Sequence, residues 1–328
     1  MDENKAYSCE ELTDLFKAWY GKKTTEQYFP QYNSPEITAE AVRKNRGSAY
    51  DELMAMVGLN EAKAVIKKAV TYFKIQKILA EKGVREERPA LHCIFTGNPG
   101  SAKTTVARIF SRILREEGIL EKGHLIEVSR GDLVAKYVGH TARTVQKAFK
   151  EARGGCLFID EAYSLATDNG GSFGQEAIDE IVKCMEDARD DTVVIFAGYP
   201  REMETFLNKN PGLRSRIAFH VPFADYSADE LTQITAYMAD RSGLTVSPDA
   251  MARLRDIYAE VASVPAFGNG RYVRTLLEQS KMQLASRLCE GDINDLTVKS
   301  ATTLLPEDIV KPLIEQPEIT HKSVHLGF

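Results

Sequence analysis

Gly97-Asn98-Pro99-Gly100-Ser101-Ala102-Lys103-Thr104-Thr105 is the stretch that decides the fold. A phosphate carries negative charge and several acceptor oxygens. A glycine-rich loop feeding a helix start meets it with backbone N–H groups and the positive end of the helix dipole. In this reading Lys103 reaches the β- and γ-phosphates of a nucleotide, and the Thr104 hydroxyl ligates Mg²⁺. The flanks agree. Leu91–Thr96 is a short apolar run that predicts a strand. Val106, Ala107, Ile109, Phe110, Ile113 and Leu114 then mark one face of a helix. Ala102 stands where the G-x-x-x-x-G-K-[ST] pattern has its second glycine. If that position takes a positive φ, alanine costs about 1 kcal/mol there. The competing reading is an ordinary Gly-rich turn, and the strand–loop–helix context argues against it.

Moving outward, strands and helices alternate. A long amphipathic helix is expected over about Asn60–Lys82. After the loop helix come a half-alternating strand at His124–Val128 and a helix over about Thr141–Arg153. Cys156–Ile159 and Val193–Phe196 are continuous apolar runs suited to buried parallel strands, with a helix near Gly174–Ala188 between them. A last strand lies near Phe219–Val221. This order predicts a doubly wound α/β domain with a parallel sheet. At Ser227 the pattern turns helical: Ser227-Ala228-Asp229-Glu230 is a capping box, Ser247-Pro248 sets proline in a first turn, and Arg271–Leu288 reads as a further helix. The expected division is a polar N-terminal extension over 1–49, an α/β nucleotide-binding domain over 50–224, a small all-helical domain over 225–290 and a tail over 291–328, in which 297–305 adds a short element.

Composition narrows the function classes. The chain has 328 residues and a net charge of −5, so no overall basic field draws it to nucleic acid or an anionic membrane. No apolar run approaches a membrane span, and Met1-Asp2-Glu3-Asn4 does not read as a signal peptide. The cysteines, Cys9, Cys93, Cys156, Cys184 and Cys289, are scattered without C-x-x-C spacing. They fit reduced thiols in a cytoplasmic protein, with Cys93 and Cys156 in strand cores.

Leu157-Phe158-Ile159-Asp160-Glu161 ends a buried strand with two acids. Parallel strands present their carboxyl ends to the ligand crevice. There Asp160 would hold Mg²⁺ through water and Glu161 would polarise the attacking water. A full strand–helix unit separates this pair from the phosphate loop, which suits ATPases with an extra strand between the two motifs.

With these residues in hand, the chain resembles the AAA+ ATPases of the CbbX/CfxQ and stage V sporulation protein K type. The resemblance is carried by Gly97–Gly100, Lys136–Ala142, Leu157–Tyr163, Phe173–Ala177, Phe196–Tyr199 and Asn210–Ile217, and it covers about residues 50–290. It implies a ring, usually a hexamer, with ATP between subunits. It implies that Arg216, or Arg214 as second candidate, acts as the arginine finger of a neighbour's site, and that Arg271, with Arg274 one turn on, matches the second sensor. Tyr137-Val138-Gly139 matches a pore loop that grips an extended polypeptide, and Gly58, in Val57-Gly58-Leu59, falls where the adenine is met. The usual first-sensor asparagine has no counterpart, since that place reads Ala197-Gly198-Tyr199. The implied activity is an ATP-driven motor that remodels a protein client, a group that includes red-type Rubisco activases. The alternatives are a nucleic-acid-linked ATPase of the same core, or a non-motor assembly switch in which Ala102 weakens turnover.

Overall fold

The computed structural model describes residues 48–81, 91–135, 139–166, 173–290 and 297–313. The described residues up to Tyr226 cluster in one compact unit, and those from Ser227 in another. Residues 1–47 of the N-terminal extension and the residues Tyr137 and Val138 lie outside the described residues.

The first unit opens with α1 (Ala49–Ala55), a short helix begun by a reciprocal Ser48–Asp51 capping box. The amphipathic helix α2 (Asn60–Glu81) follows, entered through Gly58 and Leu59, both at positive φ. β1 (His92–Gly97) runs into the phosphate loop and then α3 (Lys103–Glu116). The six apolar residues expected on one face of α3 are all buried. Next come β2 (Leu125–Val128), the single turn α4 (Arg130–Leu133), α5 (Thr141–Ala152) and β3 (Cys156–Ile159). A 3₁₀ turn, Ala162–Ala166, leads toward α6 (Phe173–Asp187), followed by β4 (Val193–Gly198), α7 (Pro200–Lys209), α8 (Pro211–Arg214) and β5 (Ile217–Phe223).

The five strands form one parallel sheet in the order β2-β3-β4-β1-β5. The central strands β1, β3 and β4 are buried almost throughout, as expected for parallel strands covered on both faces. Register aligns the three functional strand ends: Phe196 of β4 pairs with Ile94 of β1 on one side and with Ile159 of β3 on the other. Because all strands run one way, the loops after Gly97, Ile159, Gly198 and Phe223 share one edge of the sheet.

The second unit is helical, with α9 (Ala228–Arg241), α10 (Pro248–Val261) and α11 (Gly270–Glu290). The expected caps form: the Ser227 hydroxyl accepts from Glu230 N, and Ser247 accepts from Ala250 N with proline in the first turn. Thr235 and Tyr258 share a buried 2.6 Å hydrogen bond between α9 and α10. A feature the periodicity does not reveal joins this unit. β6 (Thr245–Val246) pairs in parallel with β7 (Thr303–Leu304), which follows the short α12 (Val298–Thr302). Residues 297–313, read from sequence as part of a tail, therefore pack here, with Leu304 and Ile309 buried. A fork of Arg287 holds them: its Nε and Nη2 each donate at 2.8 Å to the buried Asp308 carboxylate, and Nη2 also donates to the Thr303 carbonyl.

Candidate active site

The phosphate loop starts where β1 meets β5. A Cβ on Gly97 would lie 2.5 Å from the Phe223 carbonyl oxygen, so only glycine lets the chain turn there. Gly100 has φ +71° and Ala102 φ +68° with ψ 18°. The alanine thus takes the left-handed conformation that a glycine would adopt without penalty. The loop keeps its wrapping shape against a local strain of about 1–2 kcal/mol. Buried Ser101 props it from beneath, its hydroxyl donating 2.7 Å to the Asn98 carbonyl. Lys103 Nζ lies against the loop, 2.7 Å from the Gly97 carbonyl and 2.9 Å from that of Asn98. Thr104 and Thr105 follow in the first turn of α3. Asn98 also reaches across the sheet edge: its Nδ2 donates 2.7 Å to Asp225 Oδ2, beyond β5.

Asp160 and Glu161 leave β3 at the same edge, and both are exposed. The Asp160 backbone N–H still pairs with the Val128 carbonyl, so its position is fixed by the sheet. Its carboxylate accepts the Glu161 N–H at 3.0 Å. Glu161 has φ +46°, a second non-glycine residue in left-handed backbone at this edge. Such strain persists where surrounding structure over-determines it, and it gathers at functional sites. Tyr163 stands beside the acids, with its ring centroid 5.7 Å from that of Tyr199. Burial first, then the charge of Glu161, pushes its phenol well above the ordinary range, so it stays a neutral hydroxyl. A Cβ on Gly198 would meet Tyr163 at 2.8 Å and the Met203 sulfur at 2.6 Å. The Ala197-Gly198-Tyr199 stretch, which lacks the usual asparagine, is therefore the floor on which Tyr163 rests. Sequence reasoning assigned nothing to Tyr163 or Asp225; both become visible only when strand ends are brought to one edge.

These residues fit a nucleotide with a divalent cation. The loop carries a lysine beside a helix start, and the Asp160 carboxylate is exposed to solvent. Among the described residues no group of three or more acids, histidines or cysteines encloses a metal.

Within the first unit, Arg214 and Arg216 are away from this edge. Arg216 directly precedes β5, at the amino edge of the sheet, where Ile217 pairs with His92 at the start of β1. Its Nη1 donates 3.0 Å to the Gly212 carbonyl, and its buried Nε lies 3.4 Å from Glu186 Oε2 without the alignment of a hydrogen bond. Arg214 is exposed and donates 2.6 Å to Asn208 Oδ1. Six residues of β1 at about 3.3 Å each separate this edge from the phosphate loop. Neither arginine reaches its own loop across about 20 Å. Arg271 and Arg274 are exposed on the first turns of α11 in the other unit. Gly139 has φ +75° and open space around it, while its neighbours in the pore-loop motif lie outside the described residues.

Comparison with known proteins identifies the family. The ATPase family associated with various cellular activities (AAA) matches residues 93–224, and the AAA lid domain matches residues 227–319. Stage V sporulation protein K of Bacillus subtilis (strain 168) is 43% identical over 264 residues, covering 78% of this chain and 82% of the relative. The chain belongs to the AAA family of ATPases. As a member it binds nucleotide and hydrolyses ATP. The chloroplastic ribulose bisphosphate carboxylase/oxygenase activase of Cyanidioschyzon merolae (strain NIES-3377 / 10D) is 39% identical over 262 residues, 80% of this chain and 89% of the relative. Among solved structures, the FIGL-1 AAA domain in complex with ADP superposes with a TM-score of 0.53 at 20% identity, over 76% of this chain and 79% of that one. That likeness confirms the fold, an α/β AAA domain followed by a helical lid.

Proposed function

We propose that this AAA ATPase works in the cytoplasm as a subunit of a ring, a hexamer, that remodels a protein client. The observation that carries the ring is the separation just described: the phosphate loop and Arg216 stand at opposite edges of one parallel sheet. An arginine that cannot serve its own site can serve a neighbour's, where its planar fork offsets charge on the transferring phosphoryl group. In the proposed division of labour, the backbone of Gly97–Ala102 and Lys103 hold the phosphates. Thr104 and Asp160 hold Mg²⁺, which supplies charge neutralisation at the phosphate oxygens when bound. Glu161 takes the role of base toward the attacking water, and Thr105 extends the helix start beneath the loop. Gly58 lies at the adenine end. Arg216 is the finger and Arg214 its alternate. Arg271 is the second sensor, reading the γ-phosphate. Tyr137, Val138 and Gly139 form the grip on a threaded polypeptide, for which a large ring on a glycine-bearing loop is suited.

Support for a protein client comes from the kinship with a carboxylase activase and from the absence of a basic field, with a net charge of −5. Neither a nucleic-acid role nor a passive switch is favoured. Among the described residues no helix is long and apolar enough to cross a membrane. The test is a trap. Glu161→Gln keeps the phosphate-binding loop and removes the base, so it should bind ATP normally, hydrolyse at least about 100-fold more slowly, and retain the client through purification for identification by mass spectrometry. Wild-type turnover in Glu161→Gln would overturn the assignment of the base. A trap that retained only nucleic acid would overturn the client class.

A further inference from the structure

Arg216 does not stand alone at the amino edge of the sheet. Its guanidinium donates a hydrogen bond to the Gly212 carbonyl at 3.0 Å and makes an ion-pair contact with Glu186 Oε2 at 3.4 Å. The other oxygen of Glu186 lies 3.3 Å from Arg189 Nη1, so the carboxylate is itself oriented by a second cation. Glu186 sits in the last turn of α6, and that turn is pinned to the sheet by a buried histidine. His92, the first residue of β1 and 1% exposed, accepts the Val194 N–H on Nδ1 at 3.0 Å. This fixes the ring proton on Nε2, which faces the Met185 carbonyl at 3.4 Å, one residue before Glu186. A strand end, a helix end and a carboxylate thus form one continuous support ending on Arg216. None of these groups touches the phosphate loop of its own chain.

We infer that Glu186, on the α6 turn anchored by His92, is a positioning residue for Arg216, holding its guanidinium in the orientation that a neighbouring subunit's phosphate meets. This rests on the reading of Arg216 as the finger. A long side chain at an interface loses several rotamers when it engages, and support from within its own subunit lowers that loss before assembly. Glu186 is half exposed, so its contribution is orientational and screened by solvent rather than a large stabilisation of the fold.

The experiment uses the full chain at concentrations where ATPase activity per subunit has reached its plateau. Glu186→Gln keeps the shape and removes the charge. It should lower kcat about 5- to 10-fold and leave KM for ATP and the affinity for ADP unchanged, and Glu186→Asp should restore part of the loss. In an Arg216→Ala background, Glu186→Gln should cause no further loss, because the group it positions is gone. Wild-type kcat in Glu186→Gln overturns the inference, as does an equal fold-loss in both backgrounds, which would mean that Glu186 acts through something else. Full hydrolysis by Arg216→Ala alone would mark failure of the finger reading itself, and the positioning role would fall with it.

Discussion

Ala102 holds left-handed backbone at the entrance to α3, where a β-carbon crowds the following carbonyl. Ala102→Gly is therefore expected to stabilise the protein. The strain relieved, about 1–2 kcal/mol, exceeds the extra unfolded-state entropy of glycine, about 0.4–1 kcal/mol, leaving roughly 0.5–1 kcal/mol. Urea unfolding should show a higher midpoint with the same m-value and ATP binding at least as tight as wild type. A lower midpoint would mean that the Ala102 methyl contributes packing that outweighs its strain. Glu161 is the companion case, a catalytic candidate whose φ of +46° no sequence pattern announces. The thiols sort as expected at this scale: Cys93 and Cys156 are buried in strands, and burial pushes the Cys156 thiol up to about 12.

Between elements, the His92 imidazole is the joint with the clearest pH signature. Burial is the largest influence on it, opposed by its hydrogen bond to Met185 and assisted by the nearby Arg216 charge, with Glu186 opposing. Its pKa falls from the ordinary 6.5 to about 4. Between those values the unfolded chain binds a proton and the folded chain does not. Stability from this group is thus complete above about pH 6.5 and is lost as pH falls toward 4, up to about 3 kcal/mol. Unfolding free energies measured from pH 7 down to 4.5 should fall more steeply for wild type than for His92→Asn, which lacks the titrating ring. Parallel pH slopes for the two proteins would refute the buried neutral histidine. The same joint carries α6 and hence Glu186, so its integrity bears on the arginine edge as well as on stability.

For the whole molecule, the separation of phosphate loop and Arg216 leads to the expectation that, if Arg216 is the proposed finger, hydrolysis depends on pairs of subunits. Arg216→Ala should bind ATP as wild type does and lose most turnover. Mixing it with Glu161→Gln should restore part of the activity, because some interfaces then join an intact base to an intact finger. Mixtures as inactive as both parents, or full activity in a monomer independent of concentration, would contradict the ring. Wild-type activity per subunit should rise with protein concentration until assembly is complete.

The sheet and its loop were legible in the order of residues alone. Continuous apolar runs at 156–159 and 193–196 have no polar face to show water, so they are buried central strands, and the glycine pattern after the first strand sets the phosphate loop at its carboxyl end. The acid pair at 160–161 was legible for the same reason, since it ends such a run. Other features depend on contacts made across the folded chain. The two-residue β6–β7 pair is too short for periodicity to register, and it draws residues 297–313 into the helical unit through Arg287 and Asp308. Asp225 is 127 positions from Asn98, and Glu186 is 30 from Arg216, distances at which no local pattern signals contact. That Arg216 lies at the edge opposite its own phosphate loop follows from parallel strand direction and register. Those are long-range hydrogen-bond pairings, settled only when the sheet closes.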